Sequence, residues 1–343
     1  MKVSESEKMT IQITIIGTGQ IGTSIGLALA EHKDIFLRVG HDKDIRVANR
    51  AKDKGAFDRV DINLPNSVAD AAIVILAIPL DQIHETLKII ASDLKEEAVI
   101  MDTAPVKSEI MQWIKELLPP RRYYVGLAPV INPAYLYSFD SGVEAAHPDL
   151  FKNGMMAILS PQGVPSEAIK LATDFSHILG AEHLFMDPAE LDSLMAATHI
   201  LPQLLAAMLV NTTVDQPGWY EARKLAGRPY AAATSAMGQL TEASSLSSQA
   251  ISAQEHLVRW IDILMENLYT LRQQVSAREA DKLLQELTRA RLGREKWLNE
   301  RTIANWAATE TAPKVAMPTS KEVFSRMFSF GGGRKPKEPK QPK

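Results

Sequence analysis

An apolar, β-branched run, Ile11-Gln-Ile-Thr-Ile-Ile16, stops abruptly at Gly17-Thr18-Gly19-Gln20-Ile21-Gly22, and an amphipathic stretch follows from Ile25 to Ala30. This order demands a buried strand, a very tight turn and a helix in immediate succession. The first glycine permits the turn, the second lets a ligand approach the backbone, and the third lets helix and strand touch. The helix start then offers free N–H groups and a partial positive charge, which suits a pyrophosphate. Asp42 follows Gly22 by 20 positions, at the end of a second apolar run from Ile35 to Val39. A carboxylate there would accept hydrogen bonds from an adenosine ribose. Gly17, Thr18, Gly19, Gln20, Ile21, Gly22 and Asp42 are therefore the expected dinucleotide contacts. The competing reading is an ordinary strand–turn–helix without a ligand.

The first half alternates strand and helix patterns. Strands are expected at Ile11–Ile16, Ile35–Val39, Ala72–Ile78, Ala98–Asp102, Tyr123–Val125 and Met155–Leu159, with helices near Gln20–Glu31, Asp44–Lys54, Asp81–Ala91 and Val106–Leu117. Continuous apolar strands separated by helices indicate an α/β fold with a doubly wound parallel sheet. From about Ser166 strand signals vanish. Pro188 opens a long apolar helix through Val210, which Pro202 should kink. Further helices are expected near Trp219–Ala226, Tyr230–Thr241 and Ala253–Ala290. The last carries Leu257, Ile261, Leu264, Leu268 and Leu271 in one stripe, suited to a core or a dimer interface. The expected organisation is a disordered N-terminus (1–10), a dinucleotide-binding domain (11–159), an all-α substrate and dimerisation domain (160–301), and a disordered basic tail (313–343).

The net charge of −3 favours neither nucleic acid nor an anionic membrane as partner, and no uninterrupted apolar run reaches membrane-spanning length. The charged start of the chain does not read as a signal peptide, so a cytoplasmic location is expected. There is no cysteine, which excludes thiolate chemistry, and no set of histidines stands at metal-ligand spacing, so no metal is expected.

Ala77-Ile-Pro79 and Asp102-Thr103 each end a strand at the edge where ligands of open α/β sheets bind, and Ala77, Pro79, Asp102 and Thr103 are expected to line the nicotinamide half of the cleft. Asp42 would repel a 2′-phosphate and favours NAD, while Lys43 and Arg46 lie close enough to leave NADP open.

These residues resemble the prephenate and arogenate dehydrogenases of tyrosine biosynthesis. The resemblance rests on Gly17-Thr-Gly-Gln-Ile-Gly-Thr-Ser-Ile-Gly-Leu-Ala-Leu29, Val74-Ile-Leu-Ala-Ile-Pro-Leu80, Asp102 with Val106-Lys107, and Ser141-Gly-Val-Glu-Ala-Ala146 followed by Asp149-Leu-Phe151. Leu179-Gly-Ala181, Met186-Asp187 and Leu201-Pro202 follow in order, so it covers roughly residues 11 to 274. It implies an NAD(P)-dependent oxidative decarboxylation in which a hydride leaves the ring carbon bearing the hydroxyl and a histidine draws off the hydroxyl proton.

The chain departs from that family where the chemistry occurs. The family's Gly-His-Pro reads Gly126-Leu-Ala128-Pro129, and the serine supporting the histidine reads Pro105. The His-Asp pair reads Leu191-Asp192, Ser-His-Leu-Pro-His reads His199-Ile-Leu-Pro202-Gln203, and the Phe-Arg-Asp region reads Pro229-Tyr-Ala231 with Arg228 nearby. His199, just before the expected kink, is the candidate base or carboxylate ligand, and a satisfied core histidine is its rival reading. Asn132, Gln203 and Arg228 are the candidate substrate contacts. The expected function is an NAD(P)-dependent oxidoreductase acting on a small carboxylic acid, as a homodimer. The alternatives are a dehydrogenase for a different small carboxylic acid and a dinucleotide-binding sensor without turnover.

Overall fold

A computed structural model describes residues 10–304, apart from 139 and 241. The N-terminal segment 1–9 and the basic tail expected to be disordered lie outside the described residues.

Eight strands form one sheet: β1 (Ile11–Ile16), β2 (Phe36–His41), β3 (Arg59–Val60), β4 (Ile73–Leu76), β5 (Val99–Asp102), β6 (Tyr123–Val130), β7 (Met155–Leu159) and β8 (Glu182–Phe185). Their spatial order is β3-β2-β1-β4-β5-β6-β7-β8. All neighbours run parallel except β6 and β7. The order reverses between β1 and β4, so their carboxyl ends open the crevice where such sheets bind ligands.

Each central strand is buried on both faces. Ile13, Ile15, Ile73, Ile75, Val99 and Met101 point into one core, which α1 (Gln20–Ala28) and α6 (Ser166–Ile178) cover with Ile25 and Phe175. Val74, Leu76 and Ile100 point into the other, beneath α4 (Leu80–Ile90) and α5 (Ser108–Leu117). Period-two alternation between two apolar cores explains why these strands read as unbroken apolar runs.

The sheet does not end at Leu159. β7, α6 and β8 continue the sheet, and the boundary moves to Asp187, whose side chain caps α7 (Pro188–Met195) by accepting from the Ala189 N–H. β8 escaped the sequence reading because it is a four-residue edge strand whose side chains are mostly exposed, so burial imposes no alternation on it.

The helical part begins with α7, passes through a π-helical turn (Ala196–Ile200) and continues as α8 (Leu201–Val214). Joined, Pro188–Val214 is 27 residues long, and its most apolar 18-residue window has a mean hydropathy of 1.6, enough by length and composition to cross a bilayer. The stretch is not an uninterrupted apolar run, since Glu190, Asp192, His199 and Gln203 interrupt it. Its amino-terminal part packs in the protein, where Asp192, 1% exposed, accepts from the backbone N–H groups of Lys107 and Ser108 at 2.6 and 2.9 Å. α9 (Trp219–Leu225), α10 (Arg228–Gln239), α11 (Ala243–Ser252), α12 (Gln254–Ser276) and α13 (Ala280–Ile303) follow. The single helix expected from Ala253 to Ala290 is thus two. The chain breaks at Arg278, which adopts a positive φ of 58° without a glycine or proline to announce it. Ala196, Ile200, Leu246 and Leu257 enter the second sheet core, so the helical part docks onto the sheet through the π-turn, α11 and α12.

Below the crevice lies a sealed polar knot. Lys107 and Asp102 have fully buried side chains and form an ion pair. Lys107 Nζ also donates to the Leu127 carbonyl at 2.8 Å, and Asp102 accepts from the Tyr124 hydroxyl and from the Ala104 N–H. Burial pulls the Lys107 ammonium below its ordinary range, opposed by the Asp102 charge, and drives the Tyr124 phenol well up. The knot ties β5, β6 and the start of α5 together, and removing one partner would strand a buried charge. Asp102→Ala should cost about 3–5 kcal/mol of stability. Replacing Asp102 and Lys107 together by Leu and Met should restore much of it, read as urea-denaturation midpoints at constant slope.

Candidate active site

The turn after β1 is built by contact. Gly17 has φ of +92°, and a Cβ there would lie 2.3 Å from the Ala77 carbonyl oxygen. A Cβ on Gly22 would lie 1.9 Å from the Gly17 oxygen. A Cβ on Gly19 would meet nothing within 4 Å, since this position faces open space. Two glycines therefore serve packing and one leaves room for a ligand, which is the division of roles a pyrophosphate cradle requires.

Asp42 grips that turn. Its Oδ2 accepts from the Thr18 N–H at 2.8 Å and the Thr18 hydroxyl at 3.1 Å, and its Oδ1 accepts from the Asp44 N–H at 3.0 Å. An ionised carboxylate has about four acceptor positions, so one remains for a ribose hydroxyl. The two cations expected to offset Asp42 are engaged elsewhere. Lys43 pairs with Glu242 at 2.8 Å, and Arg46 pairs with Asp44 at 2.9 Å. The Glu242 hydrogen bond raises the Lys43 pKa.

A cleft of about 1090 Å³ opens above the turn. Gly17, Gly19, Gln20, Ala77 and Pro79 line its floor, and Asp42, Lys43 and Arg50 line one end. Tyr135, Ser138 and Ser141 come from the loop after β6. Thr198, His199, Pro202, Gln203 and Gln239 come from the π-turn, α8 and α10. The volume suits a dinucleotide and a small substrate better than a substrate alone.

His199 sits in the π-turn. The Leu201 N–H bonds to the Ala196 carbonyl five residues back, and Pro202 has no N–H to continue the ordinary ladder. Such one-residue insertions re-aim side chains and recur at functional sites. The ring is open to the cleft, yet the surrounding protein disfavours its charged form and lowers its pKa from the ordinary 6.5. A neutral imidazole facing a cleft can accept a proton. Tyr135 has a different part. It donates to Asp149 at 2.6 Å and stacks on His147 with ring centroids 4.3 Å apart. The Asp149 hydrogen bond, with burial, pushes its phenol up to about 12, so it remains protonated.

Several expected contacts stand elsewhere. Asp102 is sealed in the knot below the floor, with no exposure to the cleft. Thr103 donates its N–H to the Leu76 carbonyl, and its side chain does not line the cleft. Thr18 and Gly22 are buried under the turn and Ile21 packs on the first core, so these three shape the cradle without lining it. Asn132 is 9% exposed and holds its own loop, accepting from the Ala134 N–H and donating to the Asp149 carbonyl. Arg228 opens α10, is exposed, and does not line the cleft. Gln203 does line the cleft, with its amide donating to the His199 carbonyl at 2.8 Å. Glu242 was missed, because no local pattern announces a pairing with Lys43 across 199 positions. The positions that carry histidines in the resembling family, Ala128 and Leu191, lie together in a small apolar cluster with Ala157 and Leu159.

Residues 25–184 match the family model described as prephenate dehydrogenase, nucleotide-binding domain. That part of the chain is similar to the nucleotide-binding domain of prephenate dehydrogenases. Among full proteins, it is 28% identical over 214 residues to prephenate dehydrogenase of Bacillus subtilis, spanning 62% of this chain and 56% of that protein. It is 31% identical over 206 residues to prephenate dehydrogenase of Lactococcus lactis, spanning 60% and 54%. The chain thus spans little more than half the length of these relatives. Among solved structures, prephenate dehydrogenase from A. aeolicus, in complex with hydroxyphenyl propionate and NAD+, superposes with a TM-score of 0.73 at 19% identity, covering 85% of this chain and 99% of that one. Synechocystis arogenate dehydrogenase superposes at 0.65 with 20% identity, covering 84% and 100%. These two establish the shared fold.

The glycine turn separates two effects. Gly22→Ala forces a clash with the Gly17 backbone and should lower the melting temperature by several degrees or prevent folding. Gly19→Ala should fold normally, with an unchanged thermal melt, and lose at least tenfold in dinucleotide affinity by fluorescence titration, since its methyl group would enter the ligand's space.

Proposed function

We propose that this chain is an NAD(P)-dependent dehydrogenase of the prephenate dehydrogenase type, acting on a small carboxylic acid with His199 as its base. The observation that carries the reading is one cleft walled on one side by the glycine cradle and on the other by the neutral imidazole of His199. Gly17, Gly19 and Gln20 would hold the diphosphate and Asp42 the adenosine ribose, and Ala77 and Pro79 would border the path toward the nicotinamide. A bound nicotinamide supplies a hydride acceptor for a carbinol carbon. The chain supplies the base, holds the two partners together and encloses them away from water. His199 takes the hydroxyl proton. Gln203 and the hydroxyls of Ser138 and Ser141 are placed to hydrogen-bond a substrate carboxylate.

Asp42 with Lys43 and Arg46 both occupied supports a preference for NAD. NADH should bind about tenfold or more tightly than NADPH by fluorescence titration. Glu242→Gln should narrow that gap by releasing Lys43. Equal affinity in the parent protein would remove the argument from Asp42.

The His199 assignment has a pH signature. Its folded-state pKa lies below 6.5, so the proton-accepting form persists to lower pH than for a free histidine. The acidic limb of kcat/KM should therefore inflect below pH 6.5 and vanish in His199→Ala, with a loss on the order of 100-fold or more in rate. Prephenate-dependent NADH formation is the first assay. The apolar filling around Ala128 and Leu191 favours a second reading, turnover of a different small hydroxy acid in the same cleft, which a substrate panel decides.

A homodimer is part of the proposal. The amino-terminal half of the α12 stripe packs inside the protein, where Leu257 is 5% exposed, but Leu268 and Leu271 are 53% and 41% exposed. Met208 and Leu209 on α8 add to this uncovered apolar surface. Contiguous apolar patches of this kind are uncommon on monomers. Light scattering should give twice the chain mass, and Leu268→Glu with Leu271→Glu should halve it.

A further inference from the structure

α11 presents one face to the cleft. Glu242, Ser245, Leu246 and Gln249 all line it, at the spacing of a single helical stripe. The stripe stands at the Asp42 end. Glu242 pairs with Lys43, the residue after Asp42, and accepts from the Gln82 amide of α4 at 2.9 Å. Gln82 and Thr86 line the cleft from α4, which packs against α11. The adenosine half of a dinucleotide held by the glycine turn and Asp42 would thus lie between α4 and α11.

Gln249 is 9% exposed, and its amide nitrogen donates to the Ser245 hydroxyl at 3.1 Å. Its carbonyl oxygen Oε1 is buried and has no hydrogen-bond partner. A buried amide oxygen without a donor is costly, and native proteins seldom leave one so. Because Gln249 forms part of a ligand cleft, the missing donor fits a bound molecule. The adenosine half has three hydrogen-bond donor groups, of two kinds. The two ribose hydroxyls belong to the Asp42 end, which leaves the exocyclic 6-amino group of adenine as its one N–H donor.

We propose that Gln249 Oε1 accepts a hydrogen bond from the adenine 6-amino group, making α11 the base-reading wall of the nucleotide site. The assignment rests on the dinucleotide reading given above. It adds a contact from the helical half of the chain to a site otherwise built from the sheet. Binding of the adenine end then joins the two halves, with the Lys43–Glu242 pair alongside.

The test compares NADH with the reduced analogue in which purine replaces adenine, so that only the 6-amino group is absent. Both report by dihydronicotinamide fluorescence. The parent protein should bind NADH about tenfold more tightly, because the analogue leaves Oε1 orphaned. Gln249→Met should bind the two within twofold of each other. Gln249→Glu, which keeps an acceptor at that point, should retain the preference. Equal binding of both by the parent protein, or a preference that survives in Gln249→Met, would overturn the assignment while leaving the dehydrogenase reading intact. Failure to bind either dinucleotide would overturn both.

Discussion

The carbonyl oxygen of Gly17 and the α-carbon of Gly22 are so close that no side-chain atom fits between them. Much of the rest follows from that contact. It seats the start of α1 directly over the end of β1, at the point where strand order reverses between β1 and β4. A helix amino-terminus and a crevice then coincide, and an anion-binding site exists before any ligand arrives. Asp42 secures the arrangement from β2 by taking both polar groups of Thr18. The same carboxylate therefore preorganises the turn and lines one end of the cleft, so its loss would affect the shape of the turn.

Part of the packing beneath this cradle is apolar. Ala128 and Leu191, where the resembling family keeps histidines, pack against one another as apolar side chains. Asp192 survives beside Leu191 as a structural acceptor, capping the start of α5. On the helical side a π-turn brings His199 to the cleft surface. Such a turn sacrifices regular hydrogen bonding, and Pro202 removes a donor from the same stretch, so irregular backbone and the open imidazole occur together. The structure shares the scaffold of the prephenate dehydrogenases it resembles, and fold and substrate are separate questions for this chain.

The sheet was legible because its central strands are buried on both faces. Each appears as an uninterrupted apolar run, and each run ends at a helix pattern. β8 and the break at Arg278 were not legible. An exposed edge strand has no burial to impose a pattern on Glu182–Phe185, and a non-glycine residue with positive φ carries no local signature. Among cleft-lining residues, Gly17, Gly19 and Asp42 could be read because backbone sterics and a strand-end carboxylate act over short spans. Asp102, Asn132 and Arg228 were misplaced because a strand end or a nearby charge does not say which way a side chain is drawn. Asp102 turns inward to a buried lysine, and Asn132 folds back on its own loop.

By itself the sequence determined the strand–glycine–helix unit, the parallel sheet and the acid after the second strand, all set by backbone sterics and by the period of apolar burial. Only the tertiary structure decided that Lys107 is buried with Asp102, that Lys43 pairs with Glu242, and that His199 and Gln249 line one cleft. Those pairings join residues far apart in the chain, and their energies depend on burial and distance, which exist only once the helical half has docked on the sheet.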